Sequence, residues 1–196
     1  MFNFTRVFYT LSAILYFTFS VYCFTALKDG EHVNNFKLKD YNGKEHSLSD
    51  YKDSKVIVLM FISTQCPVSN AYNSRMENLY EQYKDKNVSF IGINANKTED
   101  IETIKEHAQS HGFGFNILKD IGNKIADELN ASVTPEIYVL NPENFEILYH
   151  GRIDDSRNES NVTSKDLENA LNDILNDKEV INKRTKAFGC TIKRVG

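Results

Sequence analysis

The sequence predicts one α/β domain whose central sheet is mainly parallel. Two nearly continuous apolar runs, residues 55–62 and 88–94, are typical of strands buried on both faces. Each run is followed by a segment with apolar residues at three- and four-residue steps, residues 67–83 and 98–111, which predicts two helices. This β-α-β-α order implies parallel strands joined by crossover helices.

The remaining elements complete the domain and give the sheet antiparallel edges. A β-hairpin is predicted over residues 36–48, because alternating side chains flank the turn pair Asn42-Gly43. Later patterns predict an extended piece, a short helix, two hairpin strands and an amphipathic helix. These occupy residues 115–118, 123–129, 136–140, 146–150 and 163–175.

Composition limits the classes of function. Hydrophobic residues make up 41% of the 196 residues and charged residues 26%, which favours a folded core over disorder. The net charge of -4 gives no basic surface for nucleic acid. The predicted parts are an N-terminal segment 1–26, a domain 30–180 and a tail 181–196 that carries Cys190. The lysines and arginines of this tail are interpreted as solvated.

The N-terminal segment has the pattern of an export signal. Arg6 precedes an apolar run over residues 7–24, which predicts a secretory signal peptide. The run is also long enough for a retained membrane anchor, and a plain hydrophobic helix is the third reading. The first two readings place the domain outside the cytoplasm, secreted or periplasmic, where disulfide chemistry is favoured. Contact with a membrane is expected only through this segment, if it is not cleaved.

Cys66 is the candidate nucleophile. It lies where the first buried strand ends and a helix begins, with Pro67 in the first turn. Unpaired N–H groups at a helix start favour an anion by about 0.3–1 kcal/mol, and the thiolate is the reactive form of cysteine. Ser69 lies one helical turn further along, and its hydroxyl is expected to donate to the thiolate. A buried, inert cysteine is the alternative reading.

Several ordered motifs carry a resemblance to a known family. They read CPVSNAYNSRM, GINAN, LKDIGNKIA, TPEIYVL, YHGRIDD and FGCTIKR. Together they resemble the thioredoxin superfamily, and within it the peroxiredoxin-like redoxin-domain proteins, which are similar to alkyl hydroperoxide reductase and thiol-specific antioxidant. The resemblance covers about residues 30–194. It implies a thioredoxin fold with a central mixed sheet flanked by helices, an N-terminal β-hairpin and an inserted helix at 98–111.

The resemblance also implies a substrate groove. The family places a cis-proline loop opposite its reactive cysteine, and Thr134-Pro135 matches that loop. The Thr134 backbone is then expected next to Cys66, where an extended substrate segment could pair with it as an added strand. Pro67, Thr134 and Pro135 are therefore the expected substrate-binding residues.

Two positions, Ser69 and Met60, depart from the family's dithiol pattern. Ser69 replaces the second cysteine of the CxxC motif, so Cys66 cannot form a local disulfide. The N-terminal segment contains Cys23, and outside that segment Cys190 is the other cysteine of the chain. Cys190 is either a resolving thiol or structural. Met60 stands where the family has a buried acid.

The peroxiredoxin pattern is incomplete as well. Ser63 lies three residues before Cys66, as in peroxiredoxins, and Pro67 follows the cysteine. Leu59 replaces the expected proline, and Arg152 is the candidate for the peroxidatic arginine. Peroxide reduction is therefore the second hypothesis.

The leading prediction is a thiol-disulfide oxidoreductase that uses Cys66. The alternatives are a thiol peroxidase and a non-catalytic module that binds client chains in the same groove. The expected partners are protein thiols or disulfides, or peroxide, and an external thiol reductant. No cofactor and no metal are expected. His107 and His111 have metal-like spacing but are interpreted as solvent-facing, and Asp154-Asp155 as a hairpin-exit loop with a surface salt bridge.

Overall fold

The computed structural model describes residues 31–196. The predicted signal or anchor segment and Cys23 lie outside the described residues. Within residues 31–196, none of the helices combines the length and the apolar character that crossing a membrane requires.

The described chain forms nine strands and five α-helices. The strands are β1 (Lys37–Asp40), β2 (Glu45–Ser47), β3 (Val56–Phe61), β4 (Val88–Asn94), β5 (Asn116–Lys119), β6 (Val133–Thr134), β7 (Glu136–Leu140), β8 (Ile147–Gly151) and β9 (Cys190–Thr191). The helices are α1 (Pro67–Asn70), α2 (Asn73–Tyr83), α3 (Ile101–Ser110), α4 (Lys124–Glu128) and α5 (Asp166–Leu175). These elements follow the order that the sequence predicts, with β6 and β9 added.

Seven strands form one mixed sheet in the order β2-β1-β5-β4-β3-β7-β8. Within this sheet β4 pairs in parallel with β3 and β5, and the other neighbours are antiparallel. The predicted mixed sheet and N-terminal β-hairpin are confirmed. The parallel part is smaller than expected, because both hairpins add antiparallel strands at the edges.

The core lies on both faces of the central strand. Every residue of β3 is fully buried, and its side chains alternate between two apolar clusters. Residues from α2, α3 and α5 pack in one cluster, and residues from α4 pack in the other. Helices therefore cover both faces, as the fold class requires. Strand β3 is anchored along its whole length, so its carboxyl end presents Cys66 from a rigid element.

The helix predicted from residue 67 is interrupted after one turn. Tyr72 donates its N–H to the carbonyl of Ser69 at 2.9 Å, a tighter spacing than in an α-helix. The Tyr72 hydroxyl donates to Asp154 at 2.9 Å, and the Arg75 guanidinium lies 3.6 Å from the centre of the Tyr72 ring. These contacts hold Tyr72 inward at the break, so α1 is a separate turn that begins directly after Cys66.

The prediction of a solvated C-terminal tail holds for the exposed Lys186 and Lys193 but not for the tail as a whole. Thr185 donates to the carbonyl of His150 at 3.0 Å, so residues near it extend the edge of β8. Further on, β9 pairs antiparallel with β6. Ile192 is buried, and Arg194 binds the carboxylate of Asp127 at 2.7 Å. We call residues 188–195 the C-terminal strap.

Candidate active site

Cys66 lies at the N-terminus of α1, with Pro67 in the first helical position. Its side chain is buried at 4% exposure. The Ser69 N–H donates to the Cys66 sulfur at 3.3 Å. The expected donor was the Ser69 hydroxyl, but its oxygen instead accepts the Ser63 N–H at 3.1 Å. Ser69 therefore contacts the sulfur through its backbone, and its side chain fixes the preceding loop.

The Thr134-Pro135 loop faces Cys66. The peptide bond between Thr134 and Pro135 is cis, as the family resemblance implies. The carbonyl oxygen of Thr134 lies 3.4 Å from the Cys66 sulfur and accepts its thiol proton. Thr134 is buried, whereas Pro67 is exposed at the rim beside Cys66.

Cys190 is brought to the same place by the C-terminal strap. In the pairing of β6 with β9, Cys190 is opposite Thr134. Cys66 and Cys190 are both free thiols, and they are close enough for each to shift the pKa of the other. Two cysteines far apart in sequence are thus adjacent in the fold.

The surroundings give the two thiols opposite acidities. Burial raises the pKa of Cys66, but hydrogen bonds from the Cys190 thiol and the Ser69 N–H outweigh it, so the pKa of Cys66 is lowered. Burial and the hydrogen bond to Cys66 both raise the pKa of Cys190. On deprotonation of the pair, the negative charge therefore resides on Cys66, which is the reactive form for attack on a sulfur.

The strap approaches the cis-proline loop too closely for a side chain. A Cβ added to Gly189 would lie 1.9 Å from the Thr134 carbonyl oxygen. On one side of Cys190, the Phe188 ring packs edge-on against Tyr72 with ring centres 6.3 Å apart. On the other side, the Lys193 N–H donates to the Asn96 side-chain oxygen at 2.7 Å. Cys190 is therefore fixed from both sides.

Glu99 is a site residue that the sequence pattern did not reveal. It lies within the helix predicted over residues 98–111, beside Asp100. Asp100 is the N-cap, because its carboxylate accepts the Thr103 N–H at 2.8 Å. Glu99 turns inward and binds the residues before Cys66. A usable signal existed, since the carboxyl ends of parallel β3 and β4 must meet at one edge of the sheet.

Other predicted positions lie elsewhere or are engaged. Met60 is fully buried in the apolar core. The Ser63 hydroxyl donates to Glu99 at 2.5 Å and accepts the Cys66 N–H at 2.9 Å. Arg152 binds the Asp166 carboxylate at 2.7 Å. The Ser63 hydroxyl and the Arg152 guanidinium therefore bind partners other than the Cys66 sulfur.

Two interpretations of polar pairs are corrected. His107 is half-buried, with its ring centre 4.2 Å from that of His111, whereas His111 is exposed, so the solvent-facing interpretation holds for His111 and not for His107. Asp154 forms a buried ion pair with Arg75 at 2.6 Å, where a surface salt bridge was expected. In residues 31–196 no three histidine, cysteine, aspartate or glutamate side chains converge as a metal site would require.

Two curated relatives are similar to part of the chain. Thiol-disulfide oxidoreductase ResA of Bacillus subtilis is 28% identical over 118 residues, which is 60% of this chain and 64% of the relative. Chloroplastic peroxiredoxin Q of Populus jackii is 30% identical over 105 residues, which is 54% of this chain and 48% of the relative. The chain thus matches less than two thirds of the length of either relative.

Two solved structures are similar to the fold. An uncharacterized conserved protein from Geobacillus kaustophilus, 30% identical, superposes with a TM-score of 0.81 over 86% of this chain and 93% of its own. The thioredoxin domain of a thiol-disulfide oxidoreductase from Bacteroides vulgatus, 18% identical, superposes with a TM-score of 0.55 over 62% of this chain and 86% of its own. Residues 30–155 match the AhpC/TSA family. The chain therefore has a thioredoxin fold and belongs to the AhpC/TSA family.

Proposed function

We propose that this protein is a thiol-disulfide oxidoreductase in which Cys66 is the nucleophile and Cys190 the resolving thiol. The observation that carries the proposal is that two free thiols meet at the cis Thr134-Pro135 peptide: the Cys66 thiol donates to the Thr134 carbonyl, and Cys190 lies opposite Thr134. The similarity to Thiol-disulfide oxidoreductase ResA supports the same class of reaction. The substrate class is a disulfide, carried by a protein or a small thiol compound.

The reaction has two exchange steps. In the first, the Cys66 thiolate attacks one sulfur of the substrate disulfide, a mixed disulfide forms, and the other substrate sulfur leaves as a thiolate. In the second, Cys190 loses its proton and attacks the Cys66 sulfur, which releases the remaining substrate thiolate. Two electrons have then passed to the substrate, and the protein holds a Cys66–Cys190 disulfide. An external dithiol reduces that disulfide and closes the cycle.

The thiol acidities suit these two roles. A lowered pKa gives Cys66 the larger thiolate fraction, so Cys66 attacks first. A raised pKa keeps Cys190 protonated while Cys66 is charged. Once Cys66 is bound in a mixed disulfide, its thiolate no longer accepts from Cys190, and one cause of the raised pKa disappears. The resolving thiol therefore becomes easier to ionise at the step that needs it.

A peroxidase reaction has less support in the geometry. It would start with attack of Cys66 on a peroxide and is favoured by the similarity to peroxiredoxin Q. The Ser63 hydroxyl, which would be its polar partner, is held by Glu99 and by the Cys66 N–H. The candidate arginine, Arg152, is held by Asp166. Disulfide exchange needs neither group at the sulfur.

A module that only binds client chains has less support for a different reason. Such a module needs a free strand edge at Thr134 for its client. That edge pairs with β9 of the chain itself. The feature that would recognise a client is thus used to position Cys190.

The proposal includes action outside the cytoplasm. Its support is the apolar run of residues 7–24 after a single charge at Arg6, a pattern of export. Attachment to the membrane through the same segment belongs to this proposal. Localisation of the tagged protein after cell fractionation tests it, and recovery of the protein in the cytoplasmic fraction contradicts it.

The decisive experiment is a redox titration of the two thiols. The purified protein, with Cys23 replaced by Ser, is equilibrated in glutathione buffers of graded potential. Free thiols are alkylated, and peptides are identified by mass spectrometry. We expect Cys66 and Cys190 to become protected together at one potential, with one linked peptide pair and a mass loss of two hydrogens.

Further assays on the same purified protein distinguish the oxidoreductase from the peroxidase and from the binding module. Reduction of insulin disulfides by a dithiol, accelerated by the protein and lost in Cys66→Ala, is expected for an oxidoreductase. Faster sulfenic acid formation with hydrogen peroxide than disulfide exchange would favour the peroxidase. Two thiols that stay unlinked at every potential, with Cys66 no more reactive than free cysteine, would favour the binding module.

A further inference from the structure

Glu99 is a buried carboxylate aimed at the residues just before Cys66. It is 2% exposed. One carboxylate oxygen accepts the Ser63 hydroxyl at 2.5 Å, and the other accepts the Thr64 N–H at 2.7 Å. The Thr64 hydroxyl at 3.0 Å and the Asn94 amide at 2.6 Å also donate to the second oxygen. A buried charge is costly unless it is fully hydrogen-bonded, and these four donors meet that need.

Ser63 connects this carboxylate to the reactive sulfur. Its hydroxyl donates to Glu99 and accepts the Cys66 N–H at 2.9 Å. Its own N–H donates to the Ser69 hydroxyl oxygen at 3.1 Å. The Ser69 N–H in turn donates to the Cys66 sulfur at 3.3 Å. A continuous path of hydrogen bonds therefore runs from the carboxylate to the donor that stabilises the thiolate.

The opposite side of Glu99 is fixed as well. Asn94 is completely buried, and its side-chain oxygen accepts from the Lys119 ammonium at 2.9 Å. Lys119 also donates to the Asn96 carbonyl at 2.6 Å. Because its oxygen is held by Lys119, the Asn94 amide must present its NH₂ group to Glu99. The contacts with Asn94 therefore hold the Glu99 carboxylate in place independently of its contacts with the Cys66 loop.

We propose that Glu99 is a positioning residue for Cys66, which through Ser63 holds the Cys66 backbone and the Ser69 N–H in the geometry that stabilises the thiolate. This inference rests on the proposed function only in taking Cys66 as the reacting thiol. Glu99 itself does not need to contact the substrate. Its role is to keep the loop of residues 63–66 in one conformation while the sulfur changes partners.

An amide at this position tests the role with little change of shape. In Glu99→Gln, one end of the side chain becomes an NH₂ group and faces groups that are themselves donors. The loop must then shift, and the sulfur loses its aligned donor. Alkylation of Cys66 and of Cys190 by iodoacetamide is followed separately by peptide mass spectrometry over a range of pH, with the full chain.

We expect alkylation of Cys66 at neutral pH to slow by about fivefold to tenfold in Glu99→Gln, with its apparent pKa moved upward, because the thiolate loses a donor. The rate at Cys190 is expected to stay within about twofold of the parent. The matched control is Glu102→Gln, which removes the same charge from an exposed position in the first turn of α3. This control is expected to leave both rates unchanged.

Three outcomes with folded protein would overturn the inference. They are an unchanged Cys66 rate, a faster Cys66 because loss of a negative charge dominates, and a faster reaction at both cysteines because the fold has loosened. The readout needs no disulfide substrate. Failure of the proposed function would therefore be seen separately. The Cys66 alkylation rate would still fall in Glu99→Gln as expected, but the parent protein would reduce no disulfide.

A second variant keeps the test valid if Glu99→Gln does not fold. Ser63→Ala removes only the hydroxyl that links Glu99 to Cys66 and leaves the bonds to Thr64 in place. It is expected to shift the pKa of Cys66 in the same direction by a smaller amount. In the double variant the two effects are expected to be non-additive, because both act on one path. If the pKa shifts of Cys66 in the two single variants simply add in the double variant, Glu99 does not act on Cys66 through Ser63.

Discussion

Cys190 lies directly opposite Thr134, in the antiparallel pair that β9 forms with β6. The carbonyl of the same threonine accepts the Cys66 thiol at 3.4 Å. The chain therefore uses its own C-terminal strap at the strand edge where an extended substrate would pair. In the proposed reaction, Cys190 is therefore held at the site before the first exchange begins, and the second step is intramolecular.

Replacement of Cys190 by Ser is expected to stop the cycle after the first step. Without the second sulfur, a mixed disulfide on Cys66 can be released only by an external thiol, and we expect its lifetime to rise by about 100-fold or more. The lifetime is measured by mass spectrometry after mixing with a small excess of oxidised glutathione. Thr191→Ser, a change in the same strand, is the control. A mixed disulfide that decays at the parent rate in Cys190→Ser would show that Cys190 does not resolve it.

A single methyl group at Gly189 is expected to displace the strap. The added Cβ would lie 1.9 Å from the Thr134 carbonyl oxygen, and that neighbour is backbone that cannot rotate away. We expect Gly189→Ala to lower stability by about 1–3 kcal/mol, and to expose Cys190 to alkylation. Thermal melting and peptide-resolved alkylation measure the two effects. Gly196→Ala adds the same group where nothing lies within 4 Å and should behave as the parent. Equal Cys190 alkylation in both variants would contradict the tight approach.

The stability of the cis-proline region is expected to depend on Glu136. Burial raises the pKa of Glu136, but hydrogen bonds from His150 and from the N–H groups of Ser132 and Val133 outweigh burial, so the folded-state pKa is lower than that of an ordinary glutamate. The unfolded chain therefore takes up this proton at a higher pH than the folded chain does. The resulting stabilisation is complete above about pH 4.5 and is lost as the pH falls through the folded-state pKa.

This dependence is measured by urea unfolding at several pH values between about 6 and 3. The free energy of unfolding should fall less steeply towards acid in Glu136→Gln than in the parent, because the variant has no carboxylate to protonate. Glu143→Gln, in an exposed turn, is expected to keep the parent slope. Identical slopes in Glu136→Gln and the parent would show that Glu136 does not contribute.

The buried ion pair behind α1 is expected to be necessary for the fold. Arg75 binds Asp154 at 2.6 Å, and their side chains are 9% and 5% exposed. Asp154→Asn leaves a buried guanidinium without its counter-charge, so we expect a loss of about 3–5 kcal/mol in the free energy of unfolding. Chemical denaturation measures this loss, and exposed Asp53→Asn is the control. A change below about 1 kcal/mol would place the pair among weak surface salt bridges.

The sequence was sufficient for the features that depend on local pattern. The apolar run of β3 and the break at Pro67 indicate that Cys66 stands between a buried strand and a helix, and the structure agrees. The family resemblance identified Pro135 as the cis proline. These features depend on residues next to each other in the chain or on motifs spread along it.

The features that the sequence did not indicate depend on contacts between distant segments. Strand β9 has only two residues, which is too short for a periodic pattern to be detected in the sequence. Its position comes from pairing with β6 and from the space left by Gly189. Glu99 resembles a helix cap in sequence, and only its burial shows that it serves the Cys66 loop.

The position of the strap also links oxidation to folding. A disulfide between Cys66 and Cys190 would close a loop of roughly 120 residues, and closing a loop of that size lowers the entropy of an unfolded chain by an equivalent of about 4.7 kcal/mol. The free energy by which the disulfide stabilises the fold is equal to the free energy by which folding stabilises the disulfide. Folding therefore makes the reduction potential of the disulfide more negative. By that equivalence, about 4.7 kcal/mol corresponds to about 100 mV for a two-electron couple. The oxidised protein would therefore melt at a higher temperature than the reduced protein. Partial unfolding of the strap would make the Cys66–Cys190 disulfide a stronger oxidant.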